Sequence, residues 1–193
     1  MNDLAIDSSK TALVVIDLQK GIVGFPTAPR PAPLVVHNAA ALAAASRARG
    51  LPVFLVRVTP SPDGKDALQP IADAPRRIPA LPPDWAEIVP ELGPQPGDFV
   101  ITKRQWGAFY GTELDLQFRR RGITTMILGG IATNIGVEST ARFAFEYGYH
   151  QIFAEDAMAA MSAEEHAYPV TKIFPRLGRV RSTAEIVAAL APG

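Results

Sequence analysis

The sequence predicts an α/β chain built on a doubly wound, mainly parallel sheet of about six strands with helices on it. Three observations point there. Short β-branched runs alternate with longer helical patterns along the 193 residues. The strand runs are continuously apolar rather than alternating, as in a sheet covered on both faces. Glycine and proline punctuate the joins.

Taken in order, Thr11–Leu18 reads as the first buried strand and alanine-rich Leu34–Arg49 as a helix closed by Gly50. Leu51–Val58 is a second strand and Asp98–Thr102 a third. Thr112 caps a helix running through Arg121, with acidic residues in its first turn, and Gly122 ends it. Thr124–Leu128 is the fourth strand, followed by a helix over Ile135–Tyr147 closed by Gly148. Gln151–Ala154 is a fifth strand and Ala163–Phe174 a helix. Val180 and Arg181 form a short sixth strand, and Ser182 or Thr183 caps the last helix. The proline-rich stretch Thr59–Gly97 is too long for an ordinary connection and is expected to hold a helix-like Pro83–Leu92. There is no internal repeat, and residues 1–193 read as a single domain.

Composition excludes several functions. Lysine plus arginine and aspartate plus glutamate each number 19, a balance that disfavours nucleic-acid or anionic-membrane partners. There is no cysteine, which rules out disulfides, zinc–thiolate sites and cysteine nucleophiles. The N-terminus lacks an apolar signal core, so a cytoplasmic location is expected. His37, His150 and His166 are scattered without metal-ligand spacing. Ser139 has no evident base partner.

Ligands of an open parallel sheet bind beyond the carboxyl ends of its strands. That rule selects Asp17 after the first strand, Lys103 after the third, and Gly129–Gly136 after the fourth. A carboxyl emerging from an apolar strand is raised by burial and lowered by a nearby lysine. The glycine-rich turn matches neither a dinucleotide fingerprint nor a phosphate loop. It does present the N–H groups of a helix start, which suit an oxyanion or carboxylate.

Three segments, Ala12-Leu-Val-Val-Ile-Asp-Leu-Gln19, Lys103-Arg-Gln-Trp-Gly-Ala-Phe109 and Gly130-Ile-Ala-Thr-Asn-Ile-Gly-Val-Glu-Ser-Thr140, together resemble the isochorismatase-like (cysteine hydrolase) superfamily. The likeness runs from Thr11 to Leu190 and includes Glu155-Asp-Ala157 followed by Glu165-His166. It implies a three-layer αβα Rossmann-like fold and homo-oligomers, dimers or tetramers, with pockets near subunit contacts. In the superfamily's amidases an aspartate, a lysine and a cysteine form the catalytic set. The first two map onto Asp17 and Lys103, and the cysteine position onto Gly136. The resemblance also implies a cis peptide at Ile131–Ala132 and an oxyanion hole from the N–H groups of Ala132 and Gly136.

Two departures narrow the reading. The zinc-dependent nicotinamidases carry Asp-x-His after strand two, whereas this chain reads Val58-Thr-Pro-Ser-Pro-Asp-Gly64, so no catalytic metal and no cofactor are expected. Glycine at position 136 precludes acyl-enzyme chemistry there. True isochorismatases likewise lack the cysteine and commonly carry glycine. That implies general-acid hydrolysis of a vinyl ether or related small carboxylate, with Asp17 as proton donor and Lys103 orienting a carboxylate. Those enzymes typically read Tyr-Ala-His where this chain has Ala132-Thr133-Asn134, so its pocket is expected to differ. Gln19, Trp106, Phe109, Thr133 and Asn134 are the expected substrate-binding residues. The alternative is a catalytically silent small-molecule binder or interaction protein. An enclosed pocket holding both charged groups would favour the enzyme.

Overall fold

The computed structural model describes residues 4–73 and 81–191. In chain order the elements are β1 (Thr11–Ile16), α1 (Lys20–Val23), α2 (Ala32–Ala48), β2 (Val53–Val58), β3 (Phe99–Lys103), α3 (Leu114–Arg120) and β4 (Thr125–Ile131). They continue as α4 (Glu138–Glu146), β5 (His150–Ala159), α5 (Ala163–Tyr168), α6 (Phe174–Leu177), β6 (Arg179–Arg181) and α7 (Thr183–Leu190). Five-residue π-helical turns, Thr133–Val137 and Pro169–Ile173, lead into α4 and α6.

The six strands form one sheet in the order β3-β2-β1-β4-β5-β6, and every pair is parallel. Successive strand residues point to opposite faces, and both faces are covered. Leu13, Val15, Val53 and Leu55 pack with Val35, Ala39 and Leu42 of α2 and Ile186 of α7. Val14, Ile16, Phe54 and Val56 pack with Leu114 and Phe118 of α3 and Ala141 and Ala144 of α4. This is the parallel sheet covered on both faces that the apolar runs predict, in the three-layer arrangement the resemblance implies. The chain reverses direction across the sheet between β1 and β4, which places the crevice of a doubly wound sheet at their carboxyl ends.

Several expectations need correction. Gly129 and Gly130 belong to β4, which runs to Ile131 rather than stopping at Leu128. Gly130 has φ of 127°, and a Cβ there would overlap the backbone of Ile16, so only glycine lets β4 close against the end of β1. The expected helix over 135–147 starts as the turn Thr133–Val137 and becomes α-helical only at Glu138. The helix expected over 163–174 is interrupted at Pro169, which has no N–H to give to a preceding carbonyl. β5 extends to Ala159, past an irregularity in its pairing with β4 between Leu128 and Gly130. Pro83–Leu92 is not a helix: it is a run of turns carrying one antiparallel bridge, Gln19 to Ile88. The rest of the proline-rich stretch includes residues outside the described ones.

Candidate active site

Asp17 follows directly on β1. Its N–H donates to the Val56 carbonyl at 2.8 Å, and its φ of 54° turns the side chain out of the strand path. Lys103 ends β3, two strands away, and its long side chain crosses the end of β2. The Nζ donates to Asp17 Oδ2 at 2.8 Å and to the Gln105 carbonyl at 3.1 Å. The side chains are 1% and 8% exposed for lysine and aspartate. Asp17 Oδ1 is buried without a hydrogen-bond partner. Burial raises the carboxyl from 3.8 to about 6, outweighing the opposite pull of the Lys103 charge and hydrogen bond.

From the other side comes β4. The Ile131–Ala132 peptide is cis, and the π-helical turn begins at Thr133. That turn carries Gly136 up to the carboxyl. A Cβ at position 136 would lie 3.2 Å from Asp17 Oδ2, 3.0 Å from Ile16 Cγ2 and 3.4 Å from the Trp106 carbonyl. The side-chain direction at 136 therefore aims at the carboxylate. The absent side chain leaves Oδ2 uncovered on that side.

These groups share a cleft of about 90 Å³. Asp17, Lys103, Ala132 and Gly136 line it together. Its apolar walls include Ile22, Phe25, Trp106, Ile135 and Met161. A larger depression of about 390 Å³ lies elsewhere, against α2, with Val36, His37, Val89 and Glu91 in its lining. It contains neither Asp17 nor Lys103, so chemistry favours the smaller cleft.

Of the expected binding residues, Trp106 lines the cleft and is 61% exposed. Gln19 does not line it. Its buried amide accepts from Val58 N–H at 2.7 Å and donates to the carbonyls of Val58 and Trp85 at 3.0 and 2.9 Å, pinning the start of α1 to the end of β2. Phe109 is a core residue, in ring contact with Phe118, Tyr147 and Tyr149. Thr133 turns to His166 at 2.9 Å. Asn134 lies outside the lining, its Oδ1 buried without a partner. Sequence reasoning missed Ile22, Phe25, Val58, Gln105, Ile135 and Met161, which also line the cleft. Ile135 and Gln105 lay inside the quoted motifs, whereas Phe25 and Met161 arrive from distant loops that only the topology unites. Among the described residues no group of three or more His, Asp or Glu could hold a metal ion, and no helix is long and apolar enough to cross a membrane.

Fold and cleft together define a three-layer α/β protein with a buried carboxylate–ammonium pair at the switch point of its sheet. The Isochorismatase domain matches residues 11–185, and the chain belongs to that family. It is 54% identical over 187 residues to the isochorismatase family protein YecD of Escherichia coli, covering 97% of this chain and 100% of that one. A solved isochorismatase family protein from Burkholderia thailandensis superposes with a TM-score of 0.92 at 49% identity, covering 96% of this chain and 97% of that one. The ureidoacrylate amidohydrolase RutB of Methylobacterium radiotolerans is 32% identical over 214 residues, covering 97% of this chain and 82% of that one.

Proposed function

We propose that this isochorismatase-family chain is a hydrolase that works without a covalent intermediate, Asp17 acting as general acid on a vinyl ether of a small carboxylate. One observation carries the reading. A carboxyl raised to about 6 stands beside the uncovered position of Gly136, in a cleft that also holds Lys103. Such a group is protonated often enough near neutrality to donate.

Protonated Asp17 gives its proton to the terminal methylene carbon, which becomes a methyl group. The resulting oxocarbenium ion adds water at the ether-bearing carbon. The water's spare proton returns to the Asp17 carboxylate. The hemiketal then expels the alcohol and leaves a 2-oxo acid. Lys103 has three N–H donors, of which two are engaged, and the third serves a substrate oxygen. Backbone N–H groups of Ala132 and Gly136 meet the oxygens of the substrate carboxylate. The apolar walls limit the entry of bulk water to the cation. No metal or cofactor takes part.

A catalytically silent binder would have no use for a desolvated acid at the floor of its cleft. The same reading takes the protein as a single-domain, cytoplasmic homo-oligomer, dimer or tetramer, to be checked by light scattering of the purified chain. The decisive experiment assays pyruvate release from isochorismate and simple vinyl ethers, with amides and esters alongside. Asp17→Asn is expected to lose about 10²- to 10⁴-fold in kcat, the range for a missing general acid. Undiminished turnover in that variant would remove Asp17 from the mechanism.

A further inference from the structure

Behind the cleft lies a second polar cluster, buried at Thr133 and His166 and half-buried at Arg30 and Glu155, with no part in the chemistry above. Thr133, fully buried, opens the π-helical turn that carries Gly136. Its hydroxyl lies 2.9 Å from Nδ1 of His166 on α5. The other ring nitrogen, Nε2, lies 3.4 Å from Arg30 Nη1. Arg30 is itself fixed, its Nη2 donating to Glu155 Oε2 at 2.9 Å and its Nη1 to the Glu155 carbonyl at 3.4 Å.

A guanidinium has donors and no acceptor. Facing Arg30, Nε2 must therefore accept, and the neutral ring carries its proton on Nδ1. That proton points at Thr133 Oγ1. We infer that His166, held by Arg30 as the Nδ1–H tautomer, is a positioning residue that sets the turn from Ala132 to Gly136 through Thr133.

Four further observations support this. Burial, and secondly the Arg30 charge, lower the His166 ring to about 4, so it is neutral across the working range. The groups facing the ring are Arg30, Glu155 and Thr133, and the Glu155 carboxylate at 3.9 Å is already paired with Arg30. The turn also has no side-chain cap of its own: Ala132 occupies its N-cap position and cannot supply one. The helix bearing the ring is firmly started by the capping box of Ser162 and Glu165, immediately after Met161 of the cleft wall. One short helix thus fixes both a wall of the cleft and the turn opposite Asp17.

The catalytic consequence rests on the proposed hydrolysis; the tautomer and the turn do not. The test uses the full chain labelled with ¹⁵N-histidine. At pH 7, long-range ¹H–¹⁵N spectra are expected to show His166 neutral and protonated on Nδ1. An Nε2–H ring would overturn the inference. Two variants then separate the ring nitrogens, since Asn places an amide N–H near the position of Nδ1 and Gln near that of Nε2. His166→Gln and Thr133→Val are expected to shift the backbone amide resonances of residues 133–136 and speed their hydrogen exchange. His166→Asn is expected to leave them near wild type. In the vinyl ether assay, His166→Gln should lose about tenfold to a hundredfold in kcat with little change in KM, and His166→Asn much less. Equal disturbance of the turn by the Asn and Gln variants, at matched unfolding midpoints, would make His166 a packing residue only. A wild-type chain inactive on the whole panel would sink the proposed hydrolysis, and the spectra would still decide the tautomer and its hold on the turn.

Discussion

Removing Lys103 and Asp17 separately and together should give a strongly non-additive stability cycle. The two charges lie 2.8 Å apart and are almost wholly buried. At an effective dielectric constant of about 20 their attraction is about 6 kcal/mol. The opposing desolvation is several kcal/mol for each ion, so the intact pair is close to break-even. Breaking it is different, because the surviving charge keeps its desolvation and loses its partner. Asp17→Asn, which strands the ammonium, should lower stability by about 3–5 kcal/mol, and Lys103→Met by less, because the carboxyl takes up a proton once the pull of the lysine is gone. Asn is the right replacement at residue 17, since its φ of 54° is a conformation Asn tolerates and Leu does not. The double variant leaves no buried charge and at worst an unbonded amide, so it should fall within about 3 kcal/mol of wild type. Urea unfolding of all four proteins at pH 7 measures the cycle. Strict additivity would mean that the pair is not coupled, and the pull of Lys103 against the burial that raises the carboxyl would fall with it.

Four more predictions follow from the same geometry. With Asp17 as proton donor, kcat/KM should be flat below about pH 6 and fall tenfold per unit above it; a rise through that region would make the carboxylate a base instead. The same shift has a stability sign. Because the folded carboxyl holds its proton more tightly than the unfolded one, this contribution, about 3 kcal/mol for about two units, is complete below pH 3.8 and lost as pH rises through 6. Replacing Asp17 by Asn should abolish that limb in pH-dependent unfolding. Gly136→Cys should fold with a penalty of about 1–3 kcal/mol, because its Cβ meets Ile16 Cγ2 at 3.0 Å. Its thiol should react with iodoacetamide faster than the same cysteine beside Asp17→Asn, as read by mass spectrometry, if the carboxylate at 3.2 Å from the Cβ assists deprotonation. Gly130→Ala should fail to yield folded protein, since its Cβ would overlap Ile16 and its φ disfavours any side chain; a stable, soluble variant would refute the close approach of β4 to β1.

What could be read from sequence follows what is local. Continuous apolar runs such as Ala12–Ile16 report burial on both faces directly, and the strand-end rule then finds Asp17 and Lys103 with no knowledge of their separation. Pattern could not show whether burial or lysine controls the carboxyl, because that balance depends on a contact across 86 positions of chain. The misplaced residues fail for a related reason. Gln19 and Phe109 sit in the right motifs, but motif membership does not reveal side-chain direction: one clamps backbone at Val58, the other fills the space between Phe118 and Tyr149. The helix expected over Ile135–Tyr147 differs at its start, since helical periodicity does not distinguish a π-helical turn from the α-helix it feeds.

The glycines of the third motif have separate purposes, and the difference is physical. Gly130 is required by backbone: a side chain there would occupy the place of Ile16, and β4 could not end beside β1. Gly136 lies outside the left-handed region, and a Cβ there would be tight but not impossible. Folding therefore demands the first glycine and merely permits the second. What Gly136 changes is the carboxyl it faces, since any side chain would stand over Asp17 Oδ2 and screen it from a substrate carbon. A glycine that folding favours by only about 1–3 kcal/mol, placed where it uncovers a desolvated acid, is what the proposed acid chemistry calls for. On that proposal the turn serves through the space it leaves open, and on the inference above Thr133 and His166 hold that space in position.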